Sequence, residues 1–198
     1  AYIAVATTVL AGAASTILET PAGKLFWERA IALDPTLEER ASVLADVDRI
    51  CRAVDGIPLA IELAASCVRG HSLAQIAEQI VAHPAVVANP SETERHRTIL
   101  AAIAWSHDLL DADEQLVFRR LGAFAGAFEL EDAEVVSGEG FAPDAVADLL
   151  GRLVARSLLT MRRDAGSVYR LLGPIARFAR DQLTESDQHD HVRARHAE

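Results

Sequence analysis

The stretch Asp55-Gly56-Ile57-Pro58-Leu59-Ala60-Ile61-Glu62-Leu63-Ala64-Ala65 constrains this chain more than any other, because it closes one helix and opens another across a single short corner. Gly56 is suited to the left-handed conformation that ends a helix. Pro58 suits the first position of the next, where its missing N–H leaves no hydrogen bond unmade. Helix–Gly–x–Pro–helix is a stiff, apolar corner on which another surface can pack. By its spacing alone it is a helix-turn-helix corner and nothing more.

The flanking sequence is helical in character. Ala and Leu dominate, aromatic residues make up 5%, and β-branched residues are scattered, which favours helix over sheet. Half of the 198 residues are apolar, enough for one large or two small cores. Thr20-Pro21 opens a helix to about Asp34, with Leu25, Phe26, Ala30 and Leu33 on one side and Pro35 ending it. Thr36 and Glu39 have capping-box spacing ahead of Val43, Leu44, Val47, Ile50, Cys51 and Val54, which recur at helical period until Gly56. The helix from Pro58 to about Val68 is apolar nearly all round and should be the central buried element. Ser72 and Gln75 form another capping box before Leu73, Ile76 and Ile80, a pattern that fades at His83-Pro84. These helices define a small bundle over residues 20–86. Residues 1–19 read as the remnant of a preceding domain or as an N-terminal element. Ala1 to Leu18 carry no charge, but Thr7, Thr8, Ser15 and Thr16 dilute them too far for a membrane span.

Asn89-Pro90-Ser91 marks a boundary between Ala85 and Arg95, and a second unit follows over residues 94–184. Ile99, Leu100, Ile103 and Leu109 line its first helix, and Asp111 with Glu114 caps a second carrying Leu116, Val117, Phe118 and Leu121. After a turn from Gly122 to Gly126 come a short helix near Leu130 to Val136 and a longer one from about Pro143 to Ala155. The period then changes. Ser157 to Arg162 and Ser167 to Leu172 flank Asp164-Ala165-Gly166 as a β-hairpin, and Pro174 starts a last helix through Leu183. Helices followed by a hairpin are the layout of a winged helix. The expected fold class is mainly α, a small helical bundle followed by a winged-helix domain with a β-hairpin wing. Residues 185–198 read as the start of a further helical, repeat-like region.

The order of these motifs resembles the middle of a STAND-type, NB-ARC-like signalling ATPase, of the kind found in large bacterial LuxR-type and antibiotic-regulatory transcription factors. The resemblance rests on Ile50-Cys51-Arg52 with the Asp55 to Ala65 corner, His96 to Leu100, and Trp105 to Leu110. It continues through Phe118 to Phe128, Leu153 to Leu159, and Tyr169 to Leu172. It implies a helical lid and a winged helix that close over ATP or ADP held, with Mg, by a P-loop domain. It places the nucleotide contact on Gly56, Ile57, Pro58 and Leu59, with Pro58 beside the adenine. No Gly-x-x-x-x-Gly-Lys-Ser/Thr motif occurs in the sequence, so no cofactor is expected in this segment and no catalysis by it. Relatives of that kind place a His-Asp pair after the wing, where this chain has Leu172 and Gly173. The resemblance further implies packing against the P-loop domain of the same parent protein, self-association on activation, and a cytoplasmic, membrane-free setting.

Other constellations read as structural. His189, His191 and His196 fit no zinc spacing, and Cys51 and Cys67 read as small buried hydrophobes. Ser106-His107-Asp108 cannot form a triad, because consecutive helical residues point about 100° apart. Arg95, Arg97, Arg119, Arg120, Arg162 and Arg163 read as a solvated face. A net charge of −10 repels nucleic acid on average. In the helix that a winged helix would offer to DNA, Asp144 and Asp148 balance Arg152 and Arg156, so DNA contact by this segment is not expected. The expected function is therefore a non-catalytic regulatory segment of a nucleotide-switched protein, a transcriptional regulator, with Ala85 to Arg95 as its hinge. The alternative is a free-standing winged-helix transcription factor, whose DNA binding would fail on replacing Arg162 and Arg163.

Overall fold

The computed structural model describes residues 16–82, 94–142, 144–163 and 167–186. The Ala85 to Arg95 hinge, apart from its last two residues, lies outside them. So do the hairpin tip Asp164-Ala165-Gly166, the three tail histidines, and most of the two terminal segments. The described residues contain nine α-helices and one two-stranded antiparallel sheet, the mainly helical architecture that the sequence implied. The chain divides into two compact units between Trp105 and Ser106.

In the first unit a 3-10 turn, Ile17–Glu19, leads into α1 (Pro21–Leu33), whose N-cap Thr20 accepts from the Gly23 N–H. α2 (Ala41–Ala53) starts later than the Thr36–Glu39 spacing implied. Both the N–H and the hydroxyl of Thr36 donate to Asp34 Oδ1, at 3.0 and 2.6 Å, so the threonine is spent on the turn behind it. Those bonds, hydroxyl first, hold the Asp34 carboxyl below its ordinary range. α3 (Pro58–Ser66) has Ala60, Ile61, Leu63, Ala64 and Ala65 buried and tightens into a 3-10 turn at Cys67–Arg69. α1 packs on α3, and α2 packs on α4 (Leu73–Ala82). The capping box before α4 forms in both directions: Ser72 N–H donates to Gln75 Oε1 at 2.9 Å, and Gln75 N–H to Ser72 Oγ at 3.3 Å. Cys51 and Cys67 are buried and not joined in a disulfide, and burial, helped by Asp48, pushes the Cys51 thiol up to about 11. Neither is poised as a nucleophile.

α5 (Glu94–Asp108) contains the division between the units. The second unit continues with α6 (Ala112–Leu121), α7 (Leu130–Ser137), α8 (Ala145–Ala155), β1 (Thr160–Arg163), β2 (Ser167–Arg170) and α9 (Gly173–Thr184). α6 is the hub, packed by α7, α8 and α9. Its N-terminus is closed by the Asp111–Glu114 capping box, as the spacing implied. In the hairpin Thr160 pairs with Arg170, Met161 with Tyr169, and Arg162 with Val168. Phe128 adds an antiparallel bridge on the other edge of β2 through mutual bonds with Tyr169 of 3.0 and 2.8 Å, and stacks on Phe124 with ring centroids 4.3 Å apart. The wing is thereby tied to the turn between α6 and α7.

Candidate functional site

The corner after α2 is built from two successive left-handed residues, Asp55 (φ 52°) and Gly56 (φ 63°), where the sequence suggested the glycine alone. Aspartate is among the side chains that tolerate this region. Gly56 N–H reaches back to the Cys51 carbonyl at 2.9 Å, and Asp55 Oδ2 accepts from Thr98 Oγ1 on α5 at 2.6 Å. Gly56 and Pro58 are exposed, Leu59 is half-buried, and Ile57 is buried. Ile57 serves the core, so Gly56, Pro58 and Leu59 form the available surface.

In the second unit His107 packs in a triangle with the rings of Phe118 and Phe178, with centroids 5.4 and 5.5 Å away, and its Nδ1 faces Asp108 Oδ1 at 3.5 Å. Burial lowers its pKa against the opposing pull of Asp108. Ser106 and His107 are buried as neighbours on one helix, and no triad forms. Arg120, counted among solvated arginines, is in fact buried: its guanidinium donates to the carbonyls of Ser137 and Glu139 at 2.8 Å each and holds the end of α7. Arg119 is half-buried and Arg162 exposed. An open depression of about 420 Å³ is lined by Glu134, Gly138, Phe141, Ala142, Asp144 and Val146, with no serine, threonine, cysteine, lysine or histidine among them. No cluster with metal-binding composition occurs among the described residues, and none of their helices is long and apolar enough to cross a membrane.

α8 follows α7 as the second helix of a helix-turn-helix pair, and its exposed stripe runs through Asp148, Gly151 and Arg152. Its arginines are not paired along the helix with Asp144 and Asp148. Arg152 Nη1 donates to Asp111 Oδ2 at 2.8 Å, and Arg156 Nη2 stands 3.4 Å from Glu114 Oε2, so both are anchored to α6. Glu114 is only 1% exposed. The Glu114 N–H, and behind it the Arg152 guanidinium, hold the Asp111 carboxyl below its usual range.

Charge is segregated along this unit. From Glu129 to Asp148 there are seven acidic residues and no basic one, whereas from Arg152 to Arg180 there are seven arginines and one acid, Asp164. Strand alternation puts Arg162 and Arg170 on the same exposed face of the wing as Thr160.

Residues 110–184 match the family model for the winged helix-turn-helix domain. Over 177 residues, 87% of this chain, the sequence is 39% identical to the Mycobacterium tuberculosis H37Rv protein named "Putative HTH-type transcriptional regulator Rv0890c", covering 20% of that protein. It is also 32% identical over 184 residues, 90% of this chain, to "Uncharacterized protein Rv0894" of the same strain, covering 47% of it. The chain thus spans less than half the length of these curated relatives. These findings overturn the expectation that this segment makes no DNA contact, since a helix-turn-helix match and a relative so named point to DNA binding. That expectation rested on the net charge, on the charge balance of α8 and on reading the wing arginines Arg162 and Arg163 as a solvated face, and it left out Arg170 and the arginines of α9. Residues 110–184 are a winged helix-turn-helix domain, in a chain homologous to proteins named as HTH-type transcriptional regulators.

Proposed function

We propose that this chain is a non-catalytic regulatory segment of a transcriptional regulator whose winged helix contacts DNA with the outer face of its wing and the exposed stripe of α8. The observation that carries this reading is the shared outward placement of Arg162 and Arg170 on a hairpin directly after the helix-turn-helix pair. Guanidinium groups neutralise backbone phosphates and release counterions, which gives affinity that falls with salt, while a helix in the groove reads bases. Replacing Arg162 and Arg170 together by glutamine should weaken binding to duplex DNA about tenfold and flatten the log K against log salt slope by roughly 1.8, two phosphate contacts at about 0.9 each. Fluorescence anisotropy across a salt series measures both. An unchanged slope would take the wing out of the interface.

The nucleotide-switch reading concerns the other unit and is proposed separately. It is supported by the exposed Pro58 and half-buried Leu59 at a corner pre-ordered by Asp55 and Gly56, an apolar edge that fits one side of a flat base. Phosphates and Mg²⁺ would be held by a P-loop domain elsewhere in the complete protein, in the cytoplasm. Calorimetry with ADP on the complete protein should show at least about tenfold weaker binding for Pro58→Ala, a loss of roughly 1.4 kcal/mol. Equal affinity would remove the corner from the nucleotide site.

A further inference from the structure

Asp111 does two jobs with two different oxygens. Oδ1 accepts the Glu114 N–H at 2.8 Å and caps α6, and Oδ2 holds Arg152 Nη1 at 2.8 Å. The Arg152 and Asp111 side chains are 50% and 52% exposed, so this pair sits in water where the N-cap of α6 meets the outward-facing stripe of α8. Beside Arg152 that stripe is flat. Gly151 is exposed, and a Cβ added there would meet no atom within 4 Å. A glycine inside a helix weakens it relative to alanine, and nothing within 4 Å of the missing Cβ requires it here. A bare backbone is what close approach to another molecule requires.

Glu114 does not depend on Arg152. Its Oε2 accepts the Asp111 N–H at 2.9 Å and faces Arg156 Nη2 at 3.4 Å, whereas Arg152 Nε stands 3.7 Å from Oε1. Arg152 can therefore leave the network without stranding a buried charge.

We propose that Arg152 is a DNA-phosphate contact held in reserve by Asp111: on binding, its guanidinium exchanges the Asp111 carboxylate for a backbone phosphate of duplex DNA. The proposal rests on the DNA-binding reading above and names a further residue of that interface and its intramolecular competitor. The same planar fork pairs with carboxylate and phosphate, so the exchange needs a side-chain rotation and no rearrangement of α8. An exposed ion pair contributes about 0.2–1 kcal/mol, so Asp111 attenuates binding by up to about fivefold and does not prevent it.

The test titrates this full chain with a mixed-sequence DNA duplex of about 20 base pairs between about 50 and 200 mM salt. Asp111→Ser keeps an N-cap oxygen and removes the competing carboxylate, and should tighten binding about two- to fivefold. Arg152→Gln should flatten the salt slope by about 0.9, and Arg152→Lys should restore it. The gain from Asp111→Ser should vanish when Arg152 is already Gln. An equal gain in that background, or an Arg152→Gln slope like that of the unsubstituted chain, overturns the exchange while leaving the DNA-binding reading intact. No binding by the unsubstituted chain at the lowest salt overturns both.

Discussion

Gly122→Ala should destabilise the winged-helix unit by about 3 kcal/mol, the upper end of what overpacking usually costs. Gly122 ends α6 in an ordinary right-handed conformation, so its freedom at positive φ is not what the site needs. The need is for space: a Cβ there would lie 2.7 Å from the carbonyl carbon and oxygen of Ala179 and 2.8 Å from the Arg180 nitrogen, all backbone of α9. Flexible side-chain ends can swing aside, but a helix backbone moves only as a body, and α9 is fixed to α6 by the fully buried Ile175 and Ala179. Gly126→Ala is the control, since its Cβ would meet nothing within 4 Å. Urea unfolding of both variants reads the difference as a shift in midpoint at constant slope. A Gly122→Ala protein within about 0.5 kcal/mol of the parent, the usual scatter of neutral surface changes, would mean that α6 and α9 do not approach this closely.

Interactions confined to a few residues were legible in the sequence. The Ser72–Gln75 and Asp111–Glu114 boxes form because both partners lie within one turn of each other. Thr36–Glu39 has the same spacing and fails, because Asp34 offers Thr36 a nearer acceptor. The hairpin was visible from its change of period, whereas the Phe128–Tyr169 bridge was not, since a single residue pairing with a strand 41 positions away leaves no periodic trace. The same limit explains the charge balance of α8. Read locally, Arg152 has Asp148 one turn away and the helix carries two acids against two arginines; in the fold Arg152 and Arg156 partner Asp111 and Glu114 of α6, and Arg120 is buried against carbonyls 17 and 19 positions downstream. Charged residues in this unit act mostly across helices. Reading arginines as a solvated face from sequence alone therefore said little about which of them were available to DNA.

Glu114→Ala should remove about 3 kcal/mol from the second unit and loosen the helix offered to DNA. The carboxylate is 1% exposed and closes the N-terminus of α6 through the Asp111 N–H. It also faces Arg152 and Arg156 of α8 at 3.7 and 3.4 Å. Deleting one partner of a fully buried pair costs about 3–5 kcal/mol, because a desolvated charge is stranded. Here the arginine side chains are 50% and 34% exposed and regain water, which reduces that figure, while the lost capping bond adds about 1 kcal/mol. Glu114→Gln separates the two contributions. The amide oxygen can still accept the Asp111 N–H, so only the ionic part is lost, and about half the effect should remain. If the ion pair is what fixes α8, Glu114→Gln and Arg156→Gln should be non-additive by at least about 0.5 kcal/mol in a double-mutant cycle. Additive costs would mean that α8 is held by Val146, Leu149, Leu150 and Leu153 alone, with the charges incidental to its position. DNA affinity discriminates independently. A helix released from α6 should bind less tightly in the Glu114→Ala protein even though its arginines have gained freedom, since groove recognition requires a fixed helix more than an additional mobile cation.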